Sequence, residues 1–148
     1  MVRERFSSNE TDPAHPLPPP DRLIVLAVDH SSFAPGAGRQ TLESARRFLT
    51  RLDPSDRVAL VAYPDPGTYV APTTDHAAVA AAIDTLEFRG GTALFDAVIQ
   101  ANRLLGTEGI RSQLLLSDGE DTDSANSEEN AAASLVDSKV TLDAVALG

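Results

Sequence analysis

The sequence predicts a doubly wound α/β fold: a mostly parallel sheet with helices on both faces. Three observations lead there. Leu23–Val28, Val58–Tyr63 and Leu114–Leu116 are apolar runs of strand length, apolar towards both sides, as the inner strands of a parallel sheet require. The segments between them carry apolar residues at helical spacing. The two patterns alternate in the order β, α, β, β, α, α, β, α, β, which implies crossover units and not a meander.

The elements follow in turn. Residues 1–21 are polar and carry Pro13, Pro16, Pro18, Pro19 and Pro20, so a flexible Pro-rich arm is expected before a folded unit spanning 22–148. Leu23–Val28 forms the first strand, and the loop Asp29–Arg39 follows it. Leu42, Ala45, Phe48 or Leu49, and Leu52 mark one helix face. Asp53-Pro54-Ser55-Asp56 is a turn before the strand Val58–Tyr63. Thr68–Ala71 is expected as a short edge strand closing a hairpin, because Pro72 cannot serve a central ladder. Thr74 or Asp75 caps a helix with Val79, Ala82, Ile83 and Leu86 on one face. Gly90-Gly91 interrupts the chain, and a further helix carries Leu94, Ala97, Val98, Ala101, Leu104 and Leu105 up to Gly106. Leu114–Leu116 is a buried strand. The helix Ser127–Ser138 is expected to turn Ala132, Leu135 and Val136 inward. Val140–Leu147 is the last strand.

Composition excludes several functions. The net charge of −10 disfavours nucleic acid, whose phosphates call for a basic surface, and favours cations or basic partners. The absence of cysteine removes disulfides, thiolate chemistry and zinc–cysteine sites. No apolar run approaches the roughly 20 residues that span a bilayer, so direct membrane insertion is not expected. With aromatic residues at 5% and no Trp, the core has to be built from Ala, Val, Leu and Ile.

Three segments gather oxygen ligands: Asp29-His30-Ser31-Ser32-Phe33, Gly90–Asp96, and Ser117-Asp118-Gly119-Glu120-Asp121. Asp29 and Asp118 each end a strand, so adjacent strands would set their carboxylates side by side, where they repel unless a cation or a proton intervenes. With the hydroxyls of Ser31 and Thr92 they form a hard, all-oxygen set suited to Mg²⁺, or to Mn²⁺ or Ca²⁺. His30 is expected as a loop residue shaping the rim. The acidic run Glu120, Asp121, Asp123, Glu128 and Glu129 reads as a solvated helix entrance.

These residues resemble the von Willebrand factor type A domain and its metal-ion-dependent adhesion site. Asp29 and Ser31 match the first two ligands of its Asp-x-Ser-x-Ser loop, Thr92 its distant threonine, and Asp118 its last aspartate. The contexts Gly90–Ala97 and Leu114–Gly119 are similar to the family's sequences, and the likeness runs over residues 22–148. The resemblance implies a non-enzymatic protein-binding or adhesion module. Its cation would keep one coordination position open for the carboxylate of an acidic residue on a protein partner. It also implies a place in the bacterial cell envelope, within a longer membrane-associated protein.

Two departures from the resembled pattern stand out. Phe33 occupies the place of the loop's second serine, which removes one hydroxyl ligand and leaves a metal-free interaction scaffold as the alternative. The chain also ends at Gly148 directly after a strand, where the family continues, so a C-terminally shortened form of the fold is expected. A phosphoryl-transfer enzyme fits less well. Receiver domains need a lysine after a late strand, and the sole lysine, Lys139, precedes the last one. Dehalogenase-type phosphatases need an aspartate where Ser31 stands.

Overall fold

The computed structural model describes residues 22–30, 37–63, 69–87, 93–117 and 124–146. The expected arm, residues 1–21, lies outside them. Nine elements follow in the expected order: β1 (Arg22–Asp29), α1 (Ala37–Leu49), β2 (Arg57–Tyr63), β3 (Tyr69–Thr73), α2 (His76–Asp84), α3 (Leu94–Leu105), β4 (Ile110–Ser117), α4 (Glu128–Ser138) and β5 (Thr141–Ala146). They build one sheet of order β3-β2-β1-β4-β5. β1 runs parallel to β2 and β4, and β4 parallel to β5, while β2 and β3 pair antiparallel. β3 is therefore the edge strand that Pro72 demands.

The alternation of side chains along the strands divides the core into two layers. Leu26 and Val28 of β1 and Val58, Leu60 and Ala62 of β2 pack with Ala45 and Leu49 of α1 and Val79 and Ile83 of α2. On the opposite face, Leu23 and Val25 meet Ala101 and Leu105 near the start of the strands, and Ala27, Tyr63 and Leu115 meet Ala97, Val98 and Ala131 near their ends. α3 thus runs antiparallel to the strands, with its N-terminus at their carboxyl ends. Each fully buried Leu or Val contributes roughly 1.5–3 kcal/mol, so this wholly aliphatic centre of β1 and β2 dominates stability.

Helix ends follow local chemistry. Asp75 caps α2, its side chain accepting from the Ala78 amide at 3.0 Å. α3 stops at Gly106, whose φ of 65° favours a residue without Cβ. Ser127 caps α4 and accepts from the Asn130 amide at 3.2 Å.

Three expectations are corrected. α1 begins at Ala37, taking in the last three residues of the expected loop, and ends at Leu49, although Leu52 still packs on the core. β4 starts at Ile110, earlier than its apolar run, because polar Gln113 is buried by bonding: its Nε2 donates to the Val98 carbonyl (3.0 Å) and to Asn102 Oδ1 (3.1 Å). α4 is rotated from the expected face. Ala131 is buried and Leu135 packs inward, whereas Ala132 is exposed and Val136 is 74% exposed. The inward face is set by Asn102 of α3, whose Nδ2 lies 2.7 Å from Ser134 O, Ser134 Oγ and Ser138 Oγ.

β5 closes the other edge of the sheet. On the α1 side its end and that of β4 floor an open groove of about 270 Å³, lined by Phe48, Leu114, Leu116 and Val145 with Arg47 and Arg51 on α1. Among the described residues no helix is long and apolar enough to cross a membrane.

Candidate functional site

The chain builds β1, β2 and β3 to one side and then β4 and β5 to the other, so strand order reverses between β1 and β4. In open α/β sheets such a reversal leaves a crevice at the carboxyl ends of the two strands, where ligands bind. Asp29 is the last residue of β1 and Ser117 the last of β4. The register pairs Val28 with Leu116, which brings these two residues side by side. Both lie on the sheet face covered by α3 and α4, since Asp29 continues the row Leu23, Val25, Ala27.

Asp29 is fully buried, and Ser117 Oγ donates to its Oδ2 at 2.8 Å. A buried carboxylate is tolerated only when donors or cations compensate it. The hydroxyl is one such donor. The N-terminus of α3 is another source of positive potential, because Leu94 and Phe95 pack on the same cluster as Ala27 and the helix dipole ends there.

His30 is 2% exposed and is therefore part of the interior, not of the rim as expected. Its amide donates to the Tyr63 carbonyl at 2.9 Å, which extends the β1–β2 ladder by one bond. Its Nδ1 lies 2.8 Å from the Glu87 carbonyl, and because a carbonyl can only accept, Nδ1 carries the proton. The imidazole thereby ties the end of β1 to the segment after α2.

Of the four expected cation ligands, Asp29 stands at the switch point. Ser31, Thr92 and Asp118 lie outside the described residues, as do Phe33, Gly90-Gly91 and the acidic residues Glu120, Asp121 and Asp123. Their sequence positions still bear on the site: Ser31 is two residues past Asp29, Asp118 directly follows Ser117, and Thr92 is two residues before α3. Among the described residues no group of three His, Asp or Glu side chains is arranged to hold a metal. Glu128 and Glu129 occupy the first turn of α4, as expected of a helix entrance.

Two contributors escaped sequence reasoning. Ser117 was visible as part of Ser-Asp-Gly, but its bond to Asp29 follows from strand register. Asp96 sits in the first turn of α3, and its carboxylate accepts from three donors on the β4–α4 connection: the Ala125 amide (2.8 Å), the Asn126 amide (2.9 Å) and Asn126 Nδ2 (2.8 Å). Burial pushes its pKa up, but these bonds outweigh burial and hold the carboxyl below its ordinary value. An aspartate at the third position of a helix was the available signal, but it is ambiguous, since the helix dipole alone favours one there.

The sequence profile of the von Willebrand factor type A domain matches residues 24–120, well over half of the chain. The chain belongs to the von Willebrand factor type A domain family. Two curated relatives, each described as a UPF0353 protein, come from Mycobacterium ulcerans (strain Agy99) and Mycobacterium marinum (strain ATCC BAA-535 / M). Each is 33% identical over 92 residues, covering 59% of this chain and 28% of the relative. The chain thus spans less than a third of the length of these relatives. Among solved structures, a von Willebrand factor type A protein from Catenulispora acidiphila superposes with a TM-score of 0.69 at 24% identity, covering 84% of this chain and 32% of that one. The vWF domain of the type V pili tip protein Mfa5 from Porphyromonas gingivalis gives 0.61 at 22% identity, covering 74% and 43%. The SpRpn10 VWA domain gives 0.56 at 12% identity, covering 87% and 89%. At these identities the structural likeness establishes the fold: a von Willebrand factor type A domain, a module that often mediates protein interactions.

Proposed function

We propose that this von Willebrand factor type A domain is a cation-dependent protein-binding module whose site lies at the carboxyl ends of β1 and β4. The observation that carries this reading is the buried Asp29 carboxylate at the strand-order switch, bonded to Ser117, the residue that Asp118 follows in the sequence. Asp29, Ser31, Thr92 and Asp118 would hold the ion. Two carboxylates and two hydroxyls make a hard oxygen set, which fits Mg²⁺ and accepts Mn²⁺ or Ca²⁺. When bound, the cation supplies an open coordination position for a carboxylate of a protein partner.

Binding is favoured over catalysis because no nucleophile–base–orienter set is visible in the sequence. His30 is buried, and its Nδ1–H bond to the Glu87 carbonyl ties the end of β1 to the segment after α2. The UPF0353 relatives are bacterial, and one structural neighbour is a pili tip protein, which supports a place at the cell envelope and a protein ligand. A metal-free docking face is the second reading, favoured by Phe33 in place of a hydroxyl ligand.

Water-proton relaxation of bound Mn²⁺ tests the proposal. A short peptide with one Glu should displace coordinated water and lower the enhancement, and its Gln counterpart should not. Equal effects of the two peptides, or no Mn²⁺ bound, would refute it.

A further inference from the structure

We propose that the chain pairs with a second copy of itself through β5, the two edge strands running antiparallel about a two-fold axis at Ala144. The inference does not rest on the cation reading above.

The two edges of the sheet differ. β3, at one side, is short, carries Pro72, and shifts register with β2 between Val58 and Leu60. Proline and irregularity keep an edge strand from pairing further. β5, at the other side, has neither. Thr141–Ala146 pair with Ser112–Ser117 without a shift, so the strand is regular along its length. Among the described residues no strand lies beyond it, which leaves a row of backbone N–H and C=O groups facing outward. The strand holds no proline, glycine or lysine, and Asp143 is its one charge. Asp143 and Val145 on one face and Ala144 on the other are exposed, so the edge is open to a neighbour from both sides.

Two identical edges paired antiparallel are related by one two-fold axis perpendicular to the sheet. The contact is then self-complementary and closes at a dimer. Cross-strand partners share a sheet face, so the axis passes through a residue and not between two. An axis at Asp143 would set two carboxylates opposite each other, which is destabilising. An axis at Ala144 instead opposes Asp143 to Val145 and Leu142 to Ala146, and keeps all of Leu142–Ala146 in the ladder. Axes at Leu142 or Val145 keep fewer residues of the strand. The small Ala144 side chain at the centre allows the ordinary strand spacing of ~4.8 Å. Such a contact is small beside the ~1,200–2,000 Å² of stable complexes, and each copy carries a net charge of −10. The dimer therefore forms at high protein concentration and tightens as salt screens the repulsion.

The test is sedimentation velocity in EDTA over a wide range of protein concentration, on wild type, Ala144→Lys, Ala144→Glu and an equimolar mixture of the two variants. The position is exposed, and circular dichroism checks that each variant is folded. Expected is a monomer–dimer equilibrium in the wild type that strengthens with salt. Either variant alone should associate at least ~10-fold more weakly, because like charges meet on the axis, and the mixture should recover, because Lys then meets Glu. Single cysteines give an independent reading, since the chain has none of its own. Ala144→Cys should oxidise to a covalent dimer, its Cα atoms lying within the ~4.5–5.5 Å of an antiparallel pair, which a disulfide spans. Thr141→Cys, ~20 Å from its counterpart, should not. A wild type that stays monomeric at every concentration overturns the inference. So does a dimer that Ala144→Lys leaves intact, a mixture that does not recover, or equal cross-linking of the two cysteine forms.

Discussion

Removing the Ser117 hydroxyl should destabilise the domain through a single bond. Ser117 Oγ donates at 2.8 Å to a carboxylate with no solvent exposure, and Ser117 is itself 4% exposed. Water cannot readily take the hydroxyl's place, so Ser117→Ala leaves part of the Asp29 charge without its donor. A hydrogen bond to a charged group contributes about 1.5–3 kcal/mol, and the buried setting argues for the upper half of that range. At a urea m-value of about 1.5 kcal/mol per molar, the unfolding midpoint falls by roughly 1.5–2 M with m unchanged. Equilibrium urea unfolding at pH 7 in EDTA, followed by far-UV circular dichroism, reads this directly and keeps cations out of the comparison. Ser112→Ala, in the same strand but without a side-chain bond among the described residues, should stay within about 0.5 kcal/mol of wild type. A Ser117→Ala midpoint equal to that of wild type would mean that Asp29 is compensated without this hydroxyl, and the electrostatic account of the switch point would fail.

Two further outcomes are expected. The Arg22 guanidinium, hydrogen-bonded to buried Asp56 through Nε at 2.8 Å, lowers the Asp56 pKa against the opposing effect of burial, with help from the Asp53 amide. Because the folded pKa lies below the unfolded one, the stability this carboxylate contributes is fully present above about pH 4. It is lost as pH falls through the lowered folded value. Asp56→Asn should cost about 1–2 kcal/mol at pH 7, discounted because the Arg22 side chain is 41% exposed, and much less near pH 2. Urea melts of both forms at the two pH values check it, and an equal cost at both would contradict the assignment. On α4, Val136→Ser should change stability by less than about 0.5 kcal/mol, because Val136 is 74% exposed, while Leu135→Ala should cost about 1–2 kcal/mol. Thermal melts showing the reverse order would mean that α4 presents its other face to the core.

The difference between what was legible in the sequence and what was not follows from the kind of interaction involved. β1 and β2 could be read because burial on both faces leaves no room for polar residues, and the alternation of elements then implied the topology. Pro72 marked the edge strand through its missing amide. β4 was read too short, and α4 with the wrong face, for a shared reason. Gln113 and Asn102 are buried polar residues bonded to each other, and Asn102 in turn bonds the half-buried Ser134 and Ser138 of α4. A hydrophobic pattern counts them as exposed, so Val136 outweighed Ser134 in placing the helix face. His30 was misplaced similarly: a polar residue after a strand suggests solvent, but its bonds to Tyr63 and Glu87 bury it. Asp29 was legible because an aspartate ending an apolar run is a local signal. The bonds of Ser117 and Asp96 span 88 and about 30 residues and exist only once the strands are in register and the helices docked.

Calorimetric titration of the chain with Mg²⁺, alone and as Asp118→Ala, tests the central claim most directly. The account predicts one saturable site in the wild type and its loss in the variant, at a temperature where both are folded. No binding by the wild type, or binding that Asp118→Ala leaves unchanged, would contradict a cation site at the carboxyl ends of β1 and β4.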